Sequence, residues 1–255
     1  MISHNLEIKT ADGLCDAFVA YPKEGGNYPG VIFLMDGFGL REYLCEMAQK
    51  IASAGYFVLL PNLYYRTKKG PVFDSSIPLK IEDMPELLKQ VMPLIQSLAP
   101  DQVLKDMGSF IDFLSTQRQV SPGLLGLTGY CMGGRLALLT AAKYADKIGA
   151  MASFHSGNLA TEAASSPHLL LDQIRAELYF AHADNDKGMD KQQIARLTKA
   201  LEQSGVRFQS ELYTGAAHGF TMRDLPVFNQ AALDKHWQKL FDLFHRNLSA
   251  PRVKV

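Results

Sequence analysis

Cysteine is scarce in this chain: three thiols in 255 residues, Cys15, Cys45 and Cys131, with no Cys-x-x-Cys spacing among them. That excludes a disulfide framework and a cysteine-built zinc site, and free thiols suit a reducing compartment. The seven histidines are scattered, with no His-x-x-x-His pair, so no metal is expected. Net charge is also missing, since 26 Lys+Arg balance 26 Asp+Glu, which leaves no global basic field for nucleic acid and no acidic tail. No apolar run approaches the ~18 residues a membrane span needs. The opening MISHNLEIKTADG lacks a basic start followed by an apolar core, so no signal peptide is expected and the chain reads as cytoplasmic. No glycine-rich phosphate loop follows the first apolar strand, and no cofactor is expected.

What the sequence does have is regular alternation. LEIKT and CDAFVAYP, joined through Ala11-Asp12-Gly13, read as a hairpin. Val31–Met35 is a continuous apolar run, as expected of a strand buried on both faces of a parallel sheet. Residues 41–54 follow with Leu44, Met47, Ala48 and Ile51 at helical spacing, and Tyr56–Leu60 forms the next strand. Further on, helices are expected at 101–117, 133–144, 190–204 and 226–247, with strands at 124–128, 148–153, 177–182 and 207–213. Such alternation implies βαβ units and a doubly wound, mostly parallel α/β sheet with helices on both faces, in a single domain over residues 1–255. Residues 61–100 break the rhythm with five prolines after Asn62, and a long interruption of this kind suits a lid or pocket-covering loop.

In a doubly wound sheet, ligands bind beyond the carboxyl ends of the strands. Gly129-Tyr130-Cys131-Met132-Gly133 stands at such an end, with the G-x-S-x-G form and cysteine in place of serine. A corner of this kind lifts the sulfur above the sheet, and the helix N-terminus behind it favours thiolate. Cys15 and Cys45 lack that setting and read as structural thiols. His218 lies in a glycine-rich loop after the last strand, where the histidine of the order nucleophile, acid, histidine belongs. An aspartate after the strand at 177–182 can fix its tautomer; Asp184 and Asp186 both qualify, and periodicity does not separate them. The corner after Val31–Met35 brings Asp36 and Gly37, and the Gly37 and Met132 amides are candidates to bind an oxyanion.

These segments resemble the dienelactone hydrolase family, the cysteine branch of the α/β-hydrolases. The matches are Val31–Gly39, Tyr56–Arg66, GYCMGGRL at Gly129–Leu136, Ala181–Asp186 and YTGAAHGF at Tyr213–Phe220, and they fall in the family's order along nearly the whole chain. The resemblance implies Cys131 as nucleophile, His218 as base and Asp186 as the acid, with the Met132 and Gly37 amides as the oxyanion hole. It also implies an acid at Asp36 that tunes the cysteine, although the family carries a glutamate there, one methylene longer. Family members that act on dienelactone grip its carboxylate with arginines. The matching stretch 67–100 has no arginine here, and four residues past the histidine stands Met222, followed by Arg223.

The expected activity is therefore hydrolysis of a small-molecule ester or lactone through a cysteinyl thioester, of the carboxymethylenebutenolidase type. Substrate contacts are expected from Tyr64, Tyr65 and Arg66, where the second buried strand ends, and from His155 after the strand at 148–153, for which a satisfied structural histidine is the alternative. Phe38, Arg135, Phe220 and Arg223 belong to the same edge. Two other readings remain: a non-catalytic binding protein that keeps the fold, and a thiol redox sensor at Cys131, which would want a resolving cysteine nearby.

Overall fold

The computed structural model describes residues 1–73 and 79–248; residues 74–78, inside the expected lid insertion, and 249–255 lie outside the described residues. Eight strands form one sheet: β1 (Ile2–Thr10), β2 (Gly13–Tyr21), β3 (Gly30–Leu34), β4 (Phe57–Pro61), β5 (Leu125–Tyr130), β6 (Ile148–Phe154), β7 (Glu177–Asn185) and β8 (Phe208–Ala217). Their spatial order is β1-β2-β4-β3-β5-β6-β7-β8. The first two strands are the expected hairpin, and β2 runs antiparallel to β4; from β4 to β8 every pairing is parallel. All residues of β3, β4, β5 and β6 are buried, which is why these strands are mostly apolar rather than alternating, with Thr128 and Ser153 as buried polar members. β8 lies at the edge and mixes exposed with buried positions.

Among the described residues six α-helices accompany the sheet: α1 (Glu42–Ser53), α2 (Met84–Ser97), α3 (Pro100–Thr116), α4 (Met132–Lys143), α5 (Lys191–Ser204) and α6 (Gln230–Asn247). Their sequence periodicity is expressed as burial: Leu44, Met47, Ala48 and Ile51 of α1 all face the core. α1 and α6 meet through Lys50, whose ammonium lies 4.7 Å from the Trp237 ring centroid. α4 packs on α3 and on a 3₁₀ segment, Pro167–Gln173, that also packs on α5.

Two features of the topology place the site. β3 and β5 are neighbours, but the chain leaves β3 toward β4 on one side and returns to β5 on the other, so the winding reverses between them. Leu34 is level with Gly129, so the turns after β3 and β5 emerge side by side. At the far side of the sheet, β8 runs four residues beyond the expected strand. An irregularity between Ala183 and Asn185 lets Asn185 pair with Ala217, and the next residue on each strand is Asp186 or His218. Periodicity does not register such an irregularity, which is why both strands run longer than the sequence implies.

Candidate active site

Cys131 is held in a conformation that an L-residue rarely adopts, with φ 54° and ψ −118°. Such backbone strain costs on the order of 1–3 kcal/mol and persists only where the surroundings fix it. Here the Cys131 amide donates to the Phe154 carbonyl at 3.0 Å, and the Cys131 carbonyl accepts from the Gly134 amide at 3.2 Å. The flanking glycines are a steric requirement. A Cβ on Gly133 would meet the Leu34 and Met35 carbonyl oxygens, and one on Gly129 would meet the Gly133 backbone. Strand, turn and helix are thus packed too closely for any side chain at these positions. α4 begins at Met132, immediately after the sulfur, so the thiol stands at the positive end of the helix.

His218 and Asp186 complete a constellation around that sulfur. The His218 Nδ1 lies 2.6 Å from Asp186 Oδ2. Asp186 Oδ1 accepts from the Gly188 amide at 2.7 Å, so the carboxylate is oriented from two sides. Burial pushes the Asp186 pKa up, but the His218 imidazole and the backbone amides outweigh it and hold the carboxyl below its ordinary value. For His218, burial opposes the charged form, yet a thiolate at Cys131 and the Asp186 carboxylate raise the imidazole well above its usual range. With Nδ1 committed to Asp186, Nε2 is left for the sulfur. Asp184, the other sequence candidate, instead accepts from the Gly215 amide at 2.9 Å across the strand end.

Cys131 and His218 open into a cavity of about 420 Å³. Its walls include Met132, Arg135 and Leu136 of α4, Ile95 of α2, Leu98, and the Gly157-Asn158 turn after β6. Among the described residues no cluster of three or more His, Cys, Asp or Glu could hold a metal ion, and no helix is long and apolar enough to cross a membrane.

The sequence profile of the Dienelactone hydrolase family matches residues 15–248. The chain belongs to that family. A protein from Synechocystis sp. provisionally named a carboxymethylenebutenolidase is 27% identical over 91% of this chain and 91% of its own length. Another so named, from Methylorubrum extorquens, is 26% identical over 96% of this chain and 81% of its own. The fold is shared with a crystal structure provisionally assigned as a dienelactone hydrolase, from Klebsiella pneumoniae, at a TM-score of 0.80 and 21% identity, covering 96% of this chain and 98% of that one. The chain is thus a hydrolase of the dienelactone hydrolase family, built on an eight-stranded, mostly parallel sheet.

Against the family pattern, Asp36 departs from expectation. Both of its oxygens are taken by Arg41, at 2.7 and 2.9 Å, and Oδ1 also accepts from the Phe38 amide. The side chain to which the resemblance gives the tuning of Cys131 is therefore one half of a buried ion pair. Arg41 reaches on to Asp224 with Nε and Nη2, at 2.5 and 3.2 Å, and so ties the loop after β3 to the loop that follows His218. Tyr43 adds a second tie by donating to the Thr221 carbonyl at 2.8 Å. Arg41 was not singled out from the sequence, although a signal existed: a basic residue at the start of a helix opposes the helix dipole, and needs an acidic partner. Replacing Arg41 by methionine should leave Asp36 buried and uncompensated, at a cost of about 3–5 kcal/mol. Urea unfolding measures this, and a loss below ~1 kcal/mol would show that the pair is not structural.

Several expected substrate contacts are placed elsewhere. Arg66 is bound by Asp12 and Asp106, and the Tyr65 hydroxyl by Thr10 and Asp106, so both serve the junction of β1, β4 and α3. Arg223 pairs with Glu46 of α1 and lies over the Tyr43 ring. Phe38 stands against Phe73 and the Arg41 guanidinium, and Phe220 is fully buried between His155 and Tyr213. His155 is itself inaccessible: its Nε2 lies 2.7 Å from Thr221 Oγ1, and burial, then the charge on His218, hold it well below its ordinary pKa. It packs as a neutral ring edge-on to His218, with centroids 5.4 Å apart. Tyr64 stays near the site, donating to the Gly37 carbonyl at 2.9 Å beside Met132 Sδ. Arg135 alone among the expected arginines lines the cavity. Ile95 and Leu98 were missed because no local pattern says which side of an insertion will face a sulfur thirty residues away.

Proposed function

We propose that this hydrolase cleaves a small ester or lactone through a thioester on Cys131. The observation that carries the reading is the placement of Cys131 and His218 on one cavity with Asp186 fixed 2.6 Å from the imidazole. Cys131 thiolate attacks the carbonyl carbon, and the carbonyl electrons move to oxygen, which the Met132 and Gly37 amides receive. Met132 is the first residue of α4, so its N–H has no partner within the helix and is free for that task. Collapse of the tetrahedral intermediate expels the alkoxide, and the His218 imidazolium gives it a proton. In a lactone that alcohol stays tethered to the acyl group. Water then attacks the thioester while His218 takes its proton, and the second collapse releases the acid and restores thiolate. Asp186 keeps Nδ1 protonated throughout and does not itself exchange a proton.

Ile95 and Leu98 bring the segment between β4 and α3 over the sulfur, which supports a covering role for α2. Water excluded by such a cover strengthens the oxyanion contacts. The redox alternative gains nothing here. Cys15 is buried on β2 with its thiol on the Asn62 carbonyl, and burial pushes its pKa up; burial likewise pushes Cys45 on α1 up to about 12. Neither is suited to resolve a sulfenate at Cys131. The test is a panel of p-nitrophenyl acetate, small lactones and cis-dienelactone. Saturable hydrolysis of at least one member is expected. Failure of all of them, in protein shown to be folded, would overturn the proposal.

A further inference from the structure

The cavity at Cys131 does not end at the sulfur. A second cavity of about 390 Å³ adjoins it along α4, with Pro100 and Arg135 lining both. Met132, Arg135 and Leu136 line the first, and Arg135 and Leu139 line the second. Their spacing, i, i+3, i+4 and i+7, puts all four on one helical face. Facing them in the second cavity are Pro100 and Leu104 of α3 and Leu169 and Leu170 of the 3₁₀ segment. Leu169 is 53% exposed and forms part of the open wall of the trough. Arg135 has no ion-pair or hydrogen-bond partner among the described residues, and burial alone lowers its pKa. Its methylene stem supplies apolar wall at the junction. Asp101 at the rim does not bond to it.

We infer that this trough seats the apolar acyl chain of an ester substrate. The inference rests on the proposed chemistry at Cys131 for its orientation: the carbonyl carbon stands at the sulfur and the chain runs past Leu136 and Leu139 toward Leu169. Adjacency to the cavity of Cys131 identifies the occupant, because a chain attached to the reacting carbonyl can follow the apolar side chains of α4 from one cavity to the other. From Met132 to Leu139 the helix rises about 10 Å at ~1.5 Å per residue. A chain of roughly eight carbons, with bonds of ~1.5 Å laid zigzag, has that reach. Full burial would raise binding about fourfold per methylene. In a trough open to solvent on one side, about 1.8-fold per methylene is expected.

The experiment has two arms. In the first, kcat/KM for p-nitrophenyl octanoate should exceed that for the butanoate by about tenfold, and the ratio should fall to near one in Leu169→Asp and in Ala164→Trp, both on the exposed wall. In the second, calorimetry with Cys131→Ala should show sodium octanoate binding about tenfold tighter than sodium butanoate, a difference abolished by adding Leu169→Asp. Octanoate bound no tighter than butanoate, or a preference that survives both wall substitutions, would overturn the inference. Chain-length-dependent binding without ester turnover would support the trough while faulting the proposed chemistry at Cys131.

Discussion

Replacing Cys131 by alanine is expected to lower kcat/KM for p-nitrophenyl acetate by ~10⁴-fold or more, with little change in stability. The reason is the division of labour around the elbow. In the proposed mechanism His218 and the two amides orient and polarise, while the sulfur alone forms the covalent intermediate that splits one difficult step into two easier ones. Alanine keeps the Cβ and therefore the same strained φ of 54°, so the bonds that fix the corner, to Phe154 and Gly134, are retained. Loss of activity with preserved unfolding midpoint is then a loss of chemistry alone. A rate within tenfold of the parent would show that turnover does not pass through this thiol.

The second large effect is expected at Asp186. Asp186→Asn should reduce kcat by ~10²–10⁴, whereas Asp184→Asn should stay within about twofold, because the two aspartates do different work. An asparagine at 186 can still accept from the Gly188 amide, so the local turn survives. It no longer presents a charge to Nδ1, and its amide can hold the ring in the wrong tautomer. The pH dependence follows with a definite sign. Burial pulls the His218 pKa down, and the Cys131 thiolate and Asp186 carboxylate raise it above its ordinary range. Removing the carboxylate lets the imidazolium lose its proton at lower pH, so the alkaline limb of kcat/KM should shift down. Asp184 faces the Gly215 amide, and its loss should loosen the strand end without moving either limb. A profile shifted by Asp184→Asn and untouched by Asp186→Asn would reverse the assignment.

Much of this site is legible in the sequence because its parts obey strict local rules. The glycines around Cys131 stand where strand and helix crowd the turn, and Gly133 faces the backbone carbonyls of β3 directly. The unbroken apolar run of β3 and the mostly apolar β5 name the centre of the sheet, and their neighbouring turns carry Gly37 and Cys131. What was not legible depends on contacts between distant segments. The resemblance makes Asp36 a group aimed at the nucleophile; its partner is an arginine five residues on, whose second carboxylate lies 183 residues away. His155 looks like a pocket residue because it follows a strand, yet Thr221 and Phe220 enclose it. Arg66 and Arg223 were placed at the edge by counting residues, but their acids, Asp106 and Glu46, come from helices that counting does not position. The irregularity that brings Asn185 level with Ala217, and so sets Asp186 beside His218, likewise leaves no periodic trace.

The most direct measurement is capture of the covalent intermediate. Protein mixed with excess p-nitrophenyl acetate, quenched in acid within the first turnover and digested, is expected to carry one acetyl group on the peptide containing Cys131, labile to neutral hydroxylamine as a thioester is. His218→Ala, which lacks the base for deacylation, should retain that label longer than the parent. Turnover without acyl label on Cys131 in either protein, or a label on another residue that appears and decays at the turnover rate, would contradict a thioester on Cys131.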